Sequence, residues 1–258
     1  MNKNLFKSVI FGSTFAALAL VARSAVARSA SAITLTPVTE AFAFDPANGW
    51  TIDATAQGRA GVLGAGDWEL GGFNDTIPGG ATFSQAQWVW RDEEEVSWLL
   101  EVDQITNLAT FNMWTNPSEI ATINLGPSSG FNGFGIVTSS DGRNSTIVEP
   151  GTEISLRVNQ INGLALGTQA FTTNAIAPSG GVDKEVNYFA LSEVSYSLAG
   201  TLFMDWNTIN PQAKRARSRV QFEVKIFDRP EESQSVPEPS ALLGLLSLGG
   251  VGLIKKRI

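Results

Sequence analysis

Apolar and polar residues alternate with a period of two in four segments of this chain. In the last of these segments, Val220, Phe222 and Val224 would face one way, whereas Gln221 and Glu223 would face the other. Successive side chains of a β-strand point to opposite faces, so this period indicates strands with one buried and one solvated face. Strands of this kind form antiparallel sheets that are covered on one side. The segments are Trp98–Asp103, Glu153–Asn159, Glu193–Leu198 and Arg219–Phe227.

Residues that favour turns separate these segments, and no long amphipathic helix is evident between them. Glycine and proline cluster at 78–80, 126–130 and 178–181. Asn162-Gly163 lies between two apolar runs and is the dipeptide that two-residue hairpin turns prefer. Strands at this spacing predict an all-β fold, an antiparallel β-sandwich for which a jelly roll is one arrangement.

The N-terminus has the three parts of a secretory signal peptide. Lys3 and Lys7 form a basic start, residues 9–22 are apolar, and Ala30 and Ala32 supply the small residues of a cleavage site. This order predicts export and removal of the segment by signal peptidase. The alternative is a retained membrane anchor, which the shortness of the apolar run disfavours.

The C-terminus combines a proline-rich motif, an uncharged apolar stretch at 240–254 and a basic end. At about 1.5 Å per residue, a helix over the apolar stretch would reach about 20–25 Å, enough to span a membrane only marginally. A basic end stays in the cytoplasm, so the body of the protein would lie outside. The motif is Pro237, Glu238 and Pro239, and the basic end is Lys255, Lys256 and Arg257.

This C-terminal order resembles the PEP-CTERM sorting signal of Gram-negative and cyanobacterial proteins. The resemblance implies that an integral-membrane exosortase recognises Pro237, Glu238 and Pro239 and cleaves near them. It further implies transient anchoring in the inner membrane, then delivery to the cell surface or extracellular matrix, often in association with extracellular polysaccharide. The resemblance covers about the last 22 residues and leaves the activity of the body open. An ordinary tail anchor behind a proline-rich linker is the alternative.

The absence of cysteine and histidine removes whole classes of chemistry. Disulfides, thiol or imidazole catalysis and the usual zinc sites are excluded. Carboxylate-pair hydrolysis, oxygen-ligated Ca²⁺ and simple binding remain. The segment 33–238 carries 11 basic and 25 acidic residues, a net charge of −14, which argues against binding to nucleic acid.

Tryptophan is frequent, with seven residues in the chain. Trp88 and Trp90 lie two positions apart and would share one face of a strand. On the surface they would form a platform on which sugar rings stack, because aromatic faces pack against the apolar faces of sugars. Between two sheets they would belong to the core, and the sequence leaves both interpretations open.

Two charged clusters are further candidate sites. The block Asp92–Glu95, with Glu101 and Asp103 just beyond it, could supply the acid–base pair of a glycosidase or ligands for Ca²⁺. The simpler interpretation is a solvated turn that protects a strand edge. A basic cluster could contact anionic polysaccharide, or could merely precede the last strand. Its members are Lys214, Arg215, Arg217 and Arg219.

These features together predict a non-enzymatic surface or matrix protein that needs no cofactor. It would act by adhesion or polysaccharide binding, with exosortase and signal peptidase as its partners during export. A carboxylate-dependent glycan hydrolase or lyase is the first alternative, and a self-associating structural module is the second. The predicted plan is a signal peptide at 1–32, a β-sandwich at 33–228, an acidic linker at 229–236 and a sorting segment at 237–258.

Overall fold

The computed structural model describes seven stretches of the chain, which are residues 35–43, 49–61, 69–74, 81–126, 132–192, 195–214 and 219–229. Within these stretches no helix is both long enough and apolar enough to cross a membrane. The predictions made for the two ends of the chain lie outside the described residues. They concern Ala30, Ala32, Pro237, Glu238, Pro239, Lys255, Lys256 and Arg257.

Strands dominate the described residues, which also form a four-residue helix, α1 (Glu40–Ala43), and a 3₁₀ turn (Gly167–Gln169). The strands alternate buried and less buried side chains, as the period-two pattern predicts. They are β1 (Leu35–Val38), β2 (Thr51–Arg59), β3 (Leu70–Asn74), β4 (Ala81–Ala86), β5 (Glu94–Asp103), β6 (Leu108–Asn116), β7 (Glu119–Gly126), β8 (Gly133–Asp141), β9 (Glu153–Ile161), β10 (Leu164–Ala165), β11 (Phe171–Ile176), β12 (Val182–Leu191), β13 (Tyr196–Asp205) and β14 (Val220–Asp228).

The strands pair into two seven-stranded antiparallel sheets. Sheet A has the order β1-β12-β8-β14-β2-β3-β4. Sheet B has the order β10-β9-β13-β5-β6-β7, and β11 also pairs with β9. The predicted fold class, an all-β sandwich-like arrangement of antiparallel sheets, is confirmed.

Aromatic side chains fill the space between the sheets. Trp98 and Phe111 of sheet B stack with ring centroids 5.8 Å apart, and Phe111 lies 5.9 Å from Phe222 of sheet A. Phe134 of sheet A stacks on Phe171 of sheet B at 5.9 Å. Because large buried rings remove the most apolar area from water, these contacts anchor the two sheets together.

The predicted hairpin at Asn162-Gly163 is present between β9 and β10. Both residues have positive φ, 49° for Asn162 and 74° for Gly163, as a type I′ turn requires. The turn brings Leu164 opposite Ile161. Asparagine and glycine tolerate this backbone conformation better than other residues, so the dipeptide sets the register of the hairpin.

The outer face of sheet A is less solvated than the alternation implies. Trp50 packs against Phe227 with ring centroids 5.8 Å apart, and Tyr188 meets Phe227 edge-on at 5.5 Å. Gly135 leaves room for the rings of Tyr188 and Phe227, since a Cβ at this position would lie 2.5 Å from Tyr188 Cδ1. A small second core therefore covers part of this face.

Candidate functional site

Trp88 and Trp90 lie between the sheets and not on the surface. Their side chains are 3% and 4% exposed, whereas Val89 between them is 57% exposed. The Trp90 indole donates a hydrogen bond to the carbonyl oxygen of Arg59 at 3.1 Å and meets Phe222 edge-on at 6.2 Å. This burial excludes the exposed sugar platform that their spacing suggested. Both indoles do face the same way, but they face the core, and they lie in the segment between β4 and β5 and not in a strand as predicted.

The acidic candidates are distributed along β5 and the turns at its two ends, with Glu95 and Glu101 exposed on the outer face of the strand. Asp92 accepts a hydrogen bond from the backbone N–H of Trp206 at 2.8 Å. Asp103 closes the turn after β5, accepting hydrogen bonds from the Ile105 N–H and the Thr106 hydroxyl, both at 2.9 Å. In the stretches that the structure describes, no three carboxylates are grouped as metal ligands would be.

Arg91 links the start of β5 to the edge strand β7. Its guanidinium donates to Glu94 at 2.9 Å and to both carboxylate oxygens of Glu119, at 2.8 and 3.1 Å. Hydrogen bonds from Arg91 and Thr115 hold the pKa of Glu119 below its usual range. A carboxyl whose pKa is lowered in this way does not serve as the protonated acid of a glycosidase, so Glu119 is an ion-pair partner of Arg91.

Arg219, one member of the predicted basic cluster, is committed to an ion pair. Its guanidinium lies 3.1 Å from Asp141, which Arg143 also binds at 2.7 Å. Hydrogen bonds from Arg143 lower the pKa of Asp141, against the opposing effect of burial. Lys214 is exposed, while Arg215 and Arg217 lie outside the described residues. Arg219 thus takes part in an ion pair of the fold, whereas Lys214 has an exposed side chain.

A depression of about 360 Å³ lies on the outer face of sheet B, and we call it the Trp114 groove. Its floor is formed by small or medium side chains on the two central strands, β5 and β13. Trp114 of β6 stands on one side, and Asn159 and Gln160 of β9 stand on the other. The lining residues are Ser97, Trp98, Leu99, Trp114, Asn159, Gln160, Ala199, Gly200 and Thr201.

Strand pairing explains the concave shape of the groove. Trp114 pairs with Ser97, and Ser97 pairs with Thr201, so two small hydroxyl residues lie beside the indole in one row across the sheet. In the next row Leu99 pairs with Ala199, and Ala199 pairs with Gln160. Large side chains therefore flank small ones, which leaves a channel along the direction of the strands.

Trp114 differs from the other tryptophans that the structure describes. Those five are in the core, between 0% and 8% exposed, whereas Trp114 is only partly buried. An indole on an outer sheet face keeps part of its apolar ring available to a ligand.

A β-bulge directs both amide residues into the groove. The pairing of β13 with β9 shifts between Ala199 and Gly200, so that Asn159 is an extra residue opposite them. A bulge turns two consecutive side chains toward the same face, and here Asn159 and Gln160 both face outward. Neither side-chain amide hydrogen-bonds to another residue of the described part of the chain.

The lining of the Trp114 groove contains no charged side chain. Charged residues occupy the neighbouring register positions, where Arg157 pairs with Thr201 and Glu101 pairs with Ser197. The groove therefore offers an aromatic ring, amides and hydroxyls, which can stack and hydrogen-bond.

A second depression, of about 290 Å³, lies on the outer face of sheet A. Its polar groups bind one another. Gln57 donates to Glu223 at 2.9 Å, and Lys225 pairs with Glu223 at 3.0 Å. Because these groups already have partners, this depression is less suited to recognising a ligand than the Trp114 groove.

No known protein family matches the chain, and no curated protein matches it significantly. The site is therefore interpreted from its own residues.

The sequence pattern around Trp114 contains a signal for an outward-facing indole, although the sequence analysis did not single out this residue. In Thr110–Trp114 the apolar Phe111 and Met113 alternate with polar residues, so the indole falls on the outer face of the strand.

Proposed function

We propose that this protein is exported, sorted by its PEP-CTERM-like segment to the cell surface or extracellular matrix, and acts there without catalysis by binding polysaccharide. Signal peptidase and an exosortase are its partners during export. The proposed architecture adds a signal helix at 1–32 and a transmembrane helix at 237–258 to a jelly-roll-like sandwich. Extracellular polysaccharide is the proposed ligand, and no nucleic acid or cofactor takes part.

The order of the two terminal segments supports the sorting half of the proposal. A basic start, an apolar run and small residues at Ala30 and Ala32 precede the body. The Pro237-Glu238-Pro239 motif, an apolar stretch and a basic end follow it. Both segments give the same topology, with the body outside the cytoplasm.

The Trp114 groove is the observation that supports the binding half. It combines a partly exposed indole with two amides that have no hydrogen-bond partner among the described residues, and no ionisable side chain is part of its lining. Aromatic stacking with hydrogen bonds from amides suits sugar rings, which have apolar faces and a rim of hydroxyls. Three of the candidate acids, Asp92, Glu94 and Asp103, accept hydrogen bonds from other residues away from the groove.

The sorting half is tested by the mass and location of the protein in its native host. We expect a mature species that lacks both terminal segments and is found outside the inner membrane. Changing Pro237, Glu238 and Pro239 to alanine should leave an uncleaved chain in the inner membrane. A wild-type chain that keeps its full C-terminus in the inner membrane would contradict exosortase sorting.

The binding half is tested separately with the mature protein recovered from the host. We expect retention on at least one polysaccharide in a panel that includes the host's own matrix. Retention on none of them, by a correctly folded protein, would leave self-association as the better account of a matrix role.

A further inference from the structure

We propose that the Trp114 groove binds a single uncharged polysaccharide chain that runs along strands β5 and β13, with one sugar ring stacked on Trp114. This inference rests on the proposed function and specifies the class of its ligand, the residues that recognise it and its direction on the sheet.

The dimensions of the groove set the direction of the chain. Trp114 on β6 and Gln160 on β9 are separated by the two floor strands β5 and β13. Neighbouring strands lie about 4.8 Å apart, so the two walls are about 14 Å apart at the backbone. Once the side chains of both walls are in place, this width admits one glycan chain lying along the strands.

Stacking on Trp114 supplies the apolar part of the recognition. A sugar ring presents a face of C–H groups that packs against an indole, and the ring is already held in place by the sheet. Ser97 and Thr201, next to Trp114 in the same row, are small enough to let a ring lie beside the indole. Their hydroxyls can both donate and accept hydrogen bonds.

Asn159 and Gln160 supply the polar part. Each amide has a carbonyl oxygen that accepts and an NH₂ group that donates, so it can bind a hydroxyl in either role. The β-bulge fixes both amides on the side of the groove opposite Trp114. Gln160 lies one row along the strands from Trp114, in the row of Leu99 and Ala199. A glycan chain that runs along the groove would therefore stack one ring on the indole and present the hydroxyls of the next ring to the amides.

Charge selects an uncharged chain over a polyanion. The segment 33–238 carries a net charge of −14, which repels polyanions at low ionic strength. No lysine, arginine or carboxylate lines the groove to bind a uronate or sulfate group. Arg157 pairs with Thr201 and lies at the far end of the row that begins at Trp114. Its substitution therefore tests whether the groove binds a polyanion instead.

The experiment measures retention of the mature protein in native gels that contain one soluble polysaccharide each. The uncharged set comprises a mixed-linkage β-glucan, a galactomannan and an arabinoxylan, and the anionic set comprises alginate and polygalacturonate. The variants are Trp114→Ala, Asn159→Ala with Gln160→Ala, and Arg157→Gln. Ile105→Ala is the matched control, because Ile105 is an apolar residue 80% exposed in the turn after β5, outside the groove.

We expect retention by at least one uncharged polysaccharide. Trp114→Ala should weaken it about fivefold to tenfold, as the loss of one aromatic stacking contact implies. The double amide variant should weaken it as well, while Ile105→Ala and Arg157→Gln should leave it unchanged. Thermal unfolding should be nearly the same for all four variants, since the substituted side chains lie on an outer sheet face or, for Ile105, in an exposed turn.

Three outcomes would overturn the inference, and they are distinguishable. Binding to uncharged glycans that the groove variants do not weaken would place the site elsewhere and leave the proposed function standing. Binding only to alginate or polygalacturonate, weakened by Arg157→Gln, would overturn the uncharged class alone. Absence of binding to every polysaccharide would overturn both this inference and the binding half of the proposed function.

Discussion

Gly200 of β13 lies so close to Arg157 of β9 that a side chain at Gly200 would overlap the Arg157 carbonyl oxygen. The same Cβ would lie 3.0 Å from Cε2 of Trp98. This close approach occurs at the β-bulge that turns Asn159 and Gln160 into the Trp114 groove. The glycine is thus needed for the backbone geometry that forms one wall of the candidate site.

Gly200→Ala is expected to destabilise the protein by about 3 kcal/mol, because backbone atoms cannot move aside as a flexible side chain can. The measurement is the free energy of unfolding in a denaturant. Gly163→Ala is the control, since Gly163 has positive φ but open space around its Cβ position. It should cost only about 1 kcal/mol, from backbone strain. Equal costs for the two variants would contradict the overlap at Gly200.

Trp90→Ala is expected to cost about 3–5 kcal/mol of unfolding free energy, as large-to-small changes in a core do. The substitution removes the packing against Phe222 and leaves the Arg59 carbonyl without its indole donor. Trp114→Ala, on the outer face, should cost much less. Chemical denaturation of the two variants side by side measures this difference. A small loss for Trp90→Ala would mean that the indole is not part of the core.

The sequence predicts the strands better than it predicts the site. The alternation in Arg219–Phe227 corresponds to β14, and Asn162-Gly163 forms the expected turn, because both signals are local. The burial of Trp88 and Trp90 depends on which sheet covers them. The groove at Trp114 depends on the pairing of β13 with two other strands. Neither relationship is encoded within a short window of sequence.

Side chains of β12 cover the free edge of β11. Glu185 accepts a hydrogen bond from the Asn174 N–H at 2.7 Å, and Asp183 accepts one from the Ile176 N–H at 2.9 Å. An edge strand exposes unpaired N–H and C=O groups, to which a strand of another chain can bind. Negatively charged side chains at the edge discourage such pairing. Replacing Asp183 and Glu185 together with alanine should therefore increase aggregation, measured as light scattering during incubation near neutral pH.

Lys184→Ala is the matched control for this edge. Lys184 lies between the two acids in β12, and its exposed side chain alternates to the opposite face of the strand. We expect scattering close to that of the unsubstituted protein. If Lys184→Ala aggregated as strongly as the double variant, a general effect of substitution in β12 would explain the result better than exposure of β11.

Both tyrosines of the chain are buried, at 4% exposure each. Burial raises the pKa of Tyr188 to about 12, with Glu40 adding to the shift, and burial raises the pKa of Tyr196 further. An unfolded tyrosine ionises near pH 10. The stabilising contribution is therefore complete below about pH 10 and is lost as the pH rises toward the folded pKa. The chain has no histidine, so we expect the unfolding free energy to change little between about pH 6 and 9.

The near-ultraviolet absorbance of tyrosinate, followed with circular dichroism during alkaline titration, measures this behaviour. Tyrosinate should appear only as the fold is lost, at a pH above that of free tyrosine. Tyr188→Phe should make the alkaline decline in stability shallower, because it removes one group whose folded and unfolded pKa values differ. It also removes the 3.5 Å contact with Glu40. Ionisation of either tyrosine near pH 10 in a protein that keeps its β-sheet signal would contradict their burial.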